Sequence, residues 1–507
     1  MGRETSRTKK SFYNIISKTI LLAITTLSGL ILPRFILKSF GSSYNGLISS
    51  ISQFLEYIGY LTLGVAGSTR VALYKSFAKD DIYATSAILK SHRNYMKRVG
   101  YALIVYTFVL AIAFSIFKRE EFSWVEVTSL VLVMSVSTMA EYFYGNTANT
   151  FLMAKQSQFI NNIVLSIVKV LSTVISIILI LSNNTIQVVK LGSAICVALG
   201  RVLLNVYVYR KYNIKTDVEP DNSALEQRGD VAAITIANSI HSRIDVFLLT
   251  LFSDLKTVSV YTVYSLVTVS LTELQQIFTT GLEGAFGELW ARGNMVKFKR
   301  HFVTFEYIMY AFSSVIFTCA WVLIIPFVSI YTRGVEDTEY ILPVFAFLSV
   351  LACATAAIRS PYKVIVQAAG KYKETRNGAI VEAGLNLVIS FVGVFKLGLV
   401  GVTLGTVVAN LFRTIQYATY ASKELVARSY WKLVKRTIWL LGNWGISYIV
   451  IKLLLKTISI NSWIYWIICA AASFVISGIV TFITSILAYR DDFLASRSLL
   501  TEMIRKR

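Results

Sequence analysis

The sequence predicts an all-α integral membrane protein of about 14 transmembrane helices, built as two pseudo-symmetric six-helix lobes plus a C-terminal helix pair. Three observations carry that prediction. Apolar runs of membrane-spanning length recur along the whole chain. Basic residues alternate between dense and sparse loops. The first and second halves resemble each other.

Of 507 residues, 55% are hydrophobic and 15% charged, where a soluble protein carries about 25% charged residues. The formal net charge is +22. On a soluble chain that excess would point to nucleic acid. Here the apolar runs are too long and too many, and the positive-inside rule accounts for the cations instead.

A spanning helix needs about 20 mostly apolar residues. Such runs sit near 11–37, 44–68, 96–117, 124–150, 158–182 and 186–209. A polar break, "RKYNIKTDVEPDNSALEQRG", follows. Six more runs sit near 231–252, 257–286, 302–331, 340–366, 377–396 and 398–420. A basic break at 421–436 precedes the last pair, near 437–456 and 462–488. The resulting organisation is an N-lobe (1–210), a linker (211–229), a C-lobe (230–420), an added helix pair (421–488) and a basic tail (489–507). With the N-terminus inside, the inner loops hold about 33 Lys plus Arg against about 7 in the outer loops. An even helix number puts both termini in the cytoplasm. The basic start, "MGRETSRTKKSFYNII", leads into a retained first helix, with no small-residue cleavage site after a short core.

The repeat is read from three pairs of segments. "SFGSSYNGLISSISQFLEYIGYLTLGVAG" resembles residues 251–284, and 153–180 aligns without gaps on 368–395. "LGSAICVALGR" and "LGTVVANLFR" end in Arg201 and Arg413. Parallel repeats of this kind are common in transporters, whose substrates pass between the halves.

"FGSSYNGLISSI", "RIDVFLLTLFSDLKTVSVYTVY" and "AGKYKETRNGAIVEAGLNLVIS…LGLVGVTLGTVVANL" carry a family resemblance. Across helices 1–12 the chain resembles the multidrug/oligosaccharidyl-lipid/polysaccharide (MOP) exporter superfamily, and within it the polysaccharide transport branch of O-antigen and capsular repeat-unit flippases (Wzx-type). The resemblance implies alternating-access movement of undecaprenyl-pyrophosphate-linked oligosaccharide from the inner to the outer leaflet of the bacterial cytoplasmic membrane. It implies polysaccharide assembly enzymes as partners and a monomeric transport unit.

An anionic, bulky substrate needs a wet cationic cavity, because charge in lipid is costly. The candidate cations inside spans are Arg34, Lys169, Arg201, Arg243, Arg359, Lys363 and Arg413. Arg359 and Lys363 lie four apart and share a helix face. Arg34, Arg201 and Arg413 have a competing reading, snorkelling to a membrane surface. Asp245, Glu382 and Asn386 are the candidates for a coupling ion or for charge balance. Glu382 and Asn386, four apart in "GAIVEAGLNLVISF", offer oxygens to a proton or sodium ion. Alternatively, Glu382 neutralises Lys169 or an arginine. Gly401 and Gly405 form a GxxxG that permits close helix contact.

No cofactor, metal or enzymatic activity is expected. Cys196, Cys319, Cys353 and Cys469 stand singly, and His92, His241 and His301 show no metal spacing. No Walker loop occurs, which excludes ATP as the direct energy source. Asp80–Asp81 and Asp491–Asp492 are expected to be solvated. A membrane glycosyltransferase or polymerase would present a large outer loop, and every expected outer loop is short. A drug antiporter of the same superfamily is the alternative, but many basic and few acidic groups fit an anionic substrate better.

Overall fold

The computed structural model describes residues 2–62, 64–223, 243–279, 282–456 and 458–505. These are helical almost throughout. The helices are α1 (Gly2–Tyr57), α2 (Val65–Ala78), α3 (Ile82–Phe117), α4 (Trp124–Ala140), α5 (Asn146–Ala154), α6 (Gln158–Leu181) and α7 (Ile186–Lys211). Then come α8 (243–252), α9 (Leu255–Thr279), α10 (Leu282–Ala291), α11 (Met295–Tyr331), α12 (Pro343–Ala368) and α13 (Tyr372–Leu397). Last are α14 (Leu399–Tyr420), α15 (Trp431–Leu454), α16 (Trp463–Ala488) and α17 (Arg490–Arg505).

Among the described residues, 11 helices are long and apolar enough to cross a membrane. The other expected spans have specific fates. The runs at 11–37 and 44–68 form one helical stretch, Phe12–Thr62. The run at 257–286 is described as α9, which is rich in Thr, Ser and Gln and falls short in apolarity, and the short α10, with 280–281 outside the described residues. Most of 231–252 lies outside the described residues.

Two compact units are drawn from the chain, one from residues 1–239 with 254–259, the other from 240–253 with 260–507. In the first unit, α1 doubles back at Gly41. That residue has φ 85° and ψ 178°, a region only glycine enters without strain. Side-chain bonds mark the reversal. Asn14 Nδ2 donates to the Gln156 carbonyl at 3.1 Å, and its Oδ1 accepts from the Phe159 amide at 2.7 Å. Tyr44 then donates to Glu126 at 3.0 Å, at the start of α4. Coming back, Leu61 accepts from Tyr95 in the first half of α3 at 2.6 Å. A capping box starts α4: Glu126 N donates to Ser123 Oγ at 3.3 Å and Ser123 N to Glu126 at 3.0 Å. Asp81 is exposed, as expected, but it also caps α3 by accepting from Ala84 N at 2.9 Å.

In the second unit, α13 and α14 are joined at Gly398, in the left-handed half of φ/ψ space (φ 56°). Their backbones touch through glycines. A Cβ on Gly401 would lie 2.1 Å from the Gly393 carbonyl oxygen, and one on Gly405 would lie 2.2 Å from Ser390 Oγ. Gly401→Ala should therefore push the helices apart and lower stability by about 1–3 kcal/mol, the usual cost of overpacking. Gly442→Ala, with open space around it, should not. Melting curves of both variants in detergent check the contrast, and equal curves would contradict it.

The added pair packs on α11 of the same unit. Trp444 Nε1 donates to the Ser313 carbonyl and Trp466 Nε1 to that of Leu323, both at 3.2 Å. Ser473, Ser477, Thr481 and Ser485 form a buried stripe at every fourth position of α16. Small residues in this pattern let membrane helices approach closely. Ser314 and Thr481 bond across the contact at 2.9 Å.

Candidate functional site

Seven of the ten candidate site residues belong to the second unit, and six of these form two neighbouring clusters. The first is built on α13. Glu382 is 4% exposed, too deep to remain ionised without partners. Arg359 of α12 supplies an ion pair at 2.5 Å, and Arg413 of α14 a second at 3.3 Å. Arg413 is held further by the Thr375 carbonyl (2.7 Å), by Gln416 and by the Tyr417 hydroxyl (3.1 Å), with its guanidinium over the Tyr417 ring. It is buried and fixed by these bonds, so snorkelling does not describe it. Lys363, one turn beyond Arg359, is exposed and within electrostatic reach of Arg359, Glu382, Arg413 and Glu283. Three cations thus meet two carboxylates.

The second cluster is rich in oxygen. Thr406 Oγ1 lies 3.0 Å from both carboxylate oxygens of Asp245 and 3.3 Å from Asn386 Oδ1. Tyr261 donates to Asp245 at 3.1 Å. Ser390, one turn after Asn386, lies 2.9 Å from Asn386 Oδ1 and 3.0 Å from the Val402 carbonyl. Thr406 has one hydroxyl proton for three acceptors. An additional proton or a small hard cation would relieve that competition, since such cations favour carboxylate, amide and hydroxyl oxygens. Asp245, Tyr261, Thr406 and Arg359 line a cavity of about 240 Å³. Arg359 therefore borders both clusters.

Glu382 and Asn386, read from the sequence as oxygens offered to a proton or sodium ion, meet different partners among the described residues. Glu382 is engaged by arginines and Asn386 by the Asp245–Thr406 group. Glu382 is paired inside its own unit, and Lys169 lies in the other. Arg243, on α8, is half-buried.

The remaining candidates are in the first unit. Arg34 of α1 is half-buried. Arg201 of α7 pairs with Glu141 at 2.5 Å and reaches Asn161 at 3.3 Å. Glu141 opens a π-helical turn, Glu141–Gly145, a feature frequent at functional sites. Lys169 is half-buried on the α6 face that carries Asn162, Ser166, Thr173 and Ser176.

Sequence reasoning missed Thr406 and Ser390. Both fall on helix faces that spacing could have shown. Asn386 and Ser390 are four apart, while Thr406, Asn410 and Arg413 follow at intervals of four and three.

In sequence, no family model and no curated protein matches the chain. Solved structures do match in fold. The lipid II flippase MurJ, in an inward closed conformation, is 16% identical with a TM-score of 0.71, over 94% of this chain and 99% of its own. An inward-facing multidrug resistance MATE transporter of the MOP superfamily is 16% identical with a TM-score of 0.60, over 82% and 98%. A MOP superfamily transporter from Pyrococcus furiosus is 16% identical with a TM-score of 0.56, over 83% and 96%. With its 11 apolar spanning helices, the chain is an all-helical, multi-pass membrane protein with the fold of MOP superfamily transporters.

Proposed function

We propose that the chain is a flippase that moves undecaprenyl-pyrophosphate-linked oligosaccharide repeat units across the bacterial cytoplasmic membrane by alternating access, for O-antigen, capsule or exopolysaccharide export. The observation that carries this reading is the cation excess around Glu382. Arg359 and Arg413 leave the exposed Lys363 ammonium beside a locally positive cluster. Such a cluster attracts a pyrophosphate and repels a cationic drug. The fold match to a lipid II flippase over 94% of the chain supports a lipid-linked substrate. For the Pyrococcus furiosus transporter, a binding pocket of reversed polarity has been read as suggesting a different function, and polarity also separates the readings here. Catalysis has no part in this mechanism, and assembly enzymes that make and polymerise the repeat unit are the expected partners.

Coupling falls to Asp245, Asn386 and Thr406, with a proton or a sodium ion as the coupling species. Glu382 serves charge balance. A second reading, a cation or drug antiporter, draws on the carboxylate of the 240 Å³ cavity.

Leaflet translocation in proteoliposomes tests the proposal. Wild type should move undecaprenyl-pyrophosphate oligosaccharide and leave cationic dyes unmoved. Lys363→Gln should slow flipping about tenfold, the worth of one charge-assisted hydrogen bond, without lowering the melting temperature. Dye antiport without lipid translocation would replace this reading with the second.

A further inference from the structure

The α10–α11 hairpin encloses a cleft that the transport reading does not use. Its volume is about 500 Å³, inside the roughly 300–1,000 Å³ of ligand-sized cavities. The walls are apolar: Leu282, Phe286 and Leu289 of α10, with Phe305 and Ile308 of α11. Phe286 is buried, its ring 5.6 Å from Phe298 and 5.9 Å from Phe305. That packing fixes the back of the cleft.

The mouth is polar. Arg292 stands there, balanced by Glu288 at 2.5 Å. Lys297 is exposed, and its ammonium has no ion pair among the described residues. His301 is half-buried one turn further along α11, on the same face. Lys299 and Arg300 add charge to this end of the helix.

An apolar slot under a basic rim suits an amphiphile with an anionic head. Positive-inside asymmetry assigns this basic turn to the cytoplasmic side, where the leaflet is negatively charged. We propose that the cleft binds one anionic phospholipid of the cytoplasmic leaflet, with acyl chain between α10 and α11 and phosphate at Lys297 and His301. The cleft shares no lining residue with the Asp245 cavity, and the proposal assigns it a lipid that stays bound and not the one that is moved. Because α10 also packs on α12, the helix of Arg359 and Lys363, the bound lipid braces the element that carries the cations.

Native mass spectrometry of the full chain in detergent, with phosphatidylglycerol and phosphatidylcholine added together, tests this. Wild type should retain phosphatidylglycerol roughly fivefold over phosphatidylcholine, the worth of one cation near an anionic lipid surface. Lys297→Gln with His301→Gln should erase the preference. Ala285→Trp, which fills the cleft, should abolish retention of both lipids, with melting curves showing that each variant is folded. Equal retention of the two lipids by wild type, or a preference that survives the double substitution, overturns the proposal. So does displacement of phosphatidylglycerol by undecaprenyl phosphate at lower concentration. That last result would assign the cleft to the transported lipid and leave the flippase reading standing.

Discussion

Glu306→Ala should lower stability by about 3–5 kcal/mol, the cost of stranding buried charge. Glu306 is 0% exposed, deep in α11. Arg428 donates to both its oxygens, at 2.6 Å to Oε2, and Arg436 to Oε2 at 2.5 Å. Tyr362 donates a fourth bond, and its hydroxyl lies 3.4 Å from that of Tyr310. Arg436 also pairs with Asp492 of α17 at 2.5 Å. Two guanidiniums therefore converge on one buried carboxylate, and the alanine variant leaves them facing each other, with the Arg436–Asp492 pair the one that remains among the described residues. A guanidinium does not shed its proton in a protein, so the stranded charge stays. Local backbone brings Arg428 there: a π-helical turn, Ala421–Val426, ends at Ala427 in the left-handed region (φ 53°, ψ 57°). Scanning fluorimetry in detergent reads the loss. Glu306→Met with Arg428→Met should recover part of it, since removing partners together costs less than stranding one. A Glu306→Ala protein that melts with the wild type would show the network to be dispensable.

This network also shows where sequence reading stops. Membrane spans were legible because they are written in local apolarity, and the alternation of basic loops checks their number independently. The expected 158–182 appears as Gln158–Leu181, and 462–488 as Trp463–Ala488. Spacing also exposed shared faces such as Arg359 with Lys363. Pairing between distant helices leaves no such trace. Glu306 meets Arg428 and Arg436 across 122 and 130 residues, and Asp492, expected to be solvated, meets Arg436. Single-residue backbone events were equally hidden. Gly41 alone turns α1 back, so the expected break between the runs at 11–37 and 44–68 is one kinked helical stretch. The hydroxyls of Thr406 and Ser390 escaped attention because uncharged polar side chains are common in membrane helices. Only their convergence on Asp245 and Asn386 distinguishes them.

Asp245→Asn and Glu382→Gln should fail in opposite ways, although both remove a buried intramembrane carboxylate. Glu382 neutralises Arg359 and Arg413, which have no carboxylate as near among the described residues. Its glutamine variant keeps some hydrogen bonding but loses the charge, so it should melt earlier, by an amount approaching the 3–5 kcal/mol of a broken buried pair. Adding Arg359→Gln should restore much of that stability by removing the unpaired cation. Asp245 has no salt bridge among the described residues. Its bonds come from the Thr406 and Tyr261 hydroxyls, and an asparagine can accept the same ones. Asp245→Asn should therefore melt close to wild type and still exchange substrate downhill, yet give no gain in flipping from an imposed proton or sodium gradient. The two assays, melting temperature and gradient-driven translocation in proteoliposomes, separate the roles. Suppose Glu382→Gln keeps its stability and loses only the gradient response. Then the coupling site lies among the arginines, and the Asp245 cavity is structural. If Asp245→Asn responds to the gradient as wild type does, the oxygen-rich cluster holds no coupling ion.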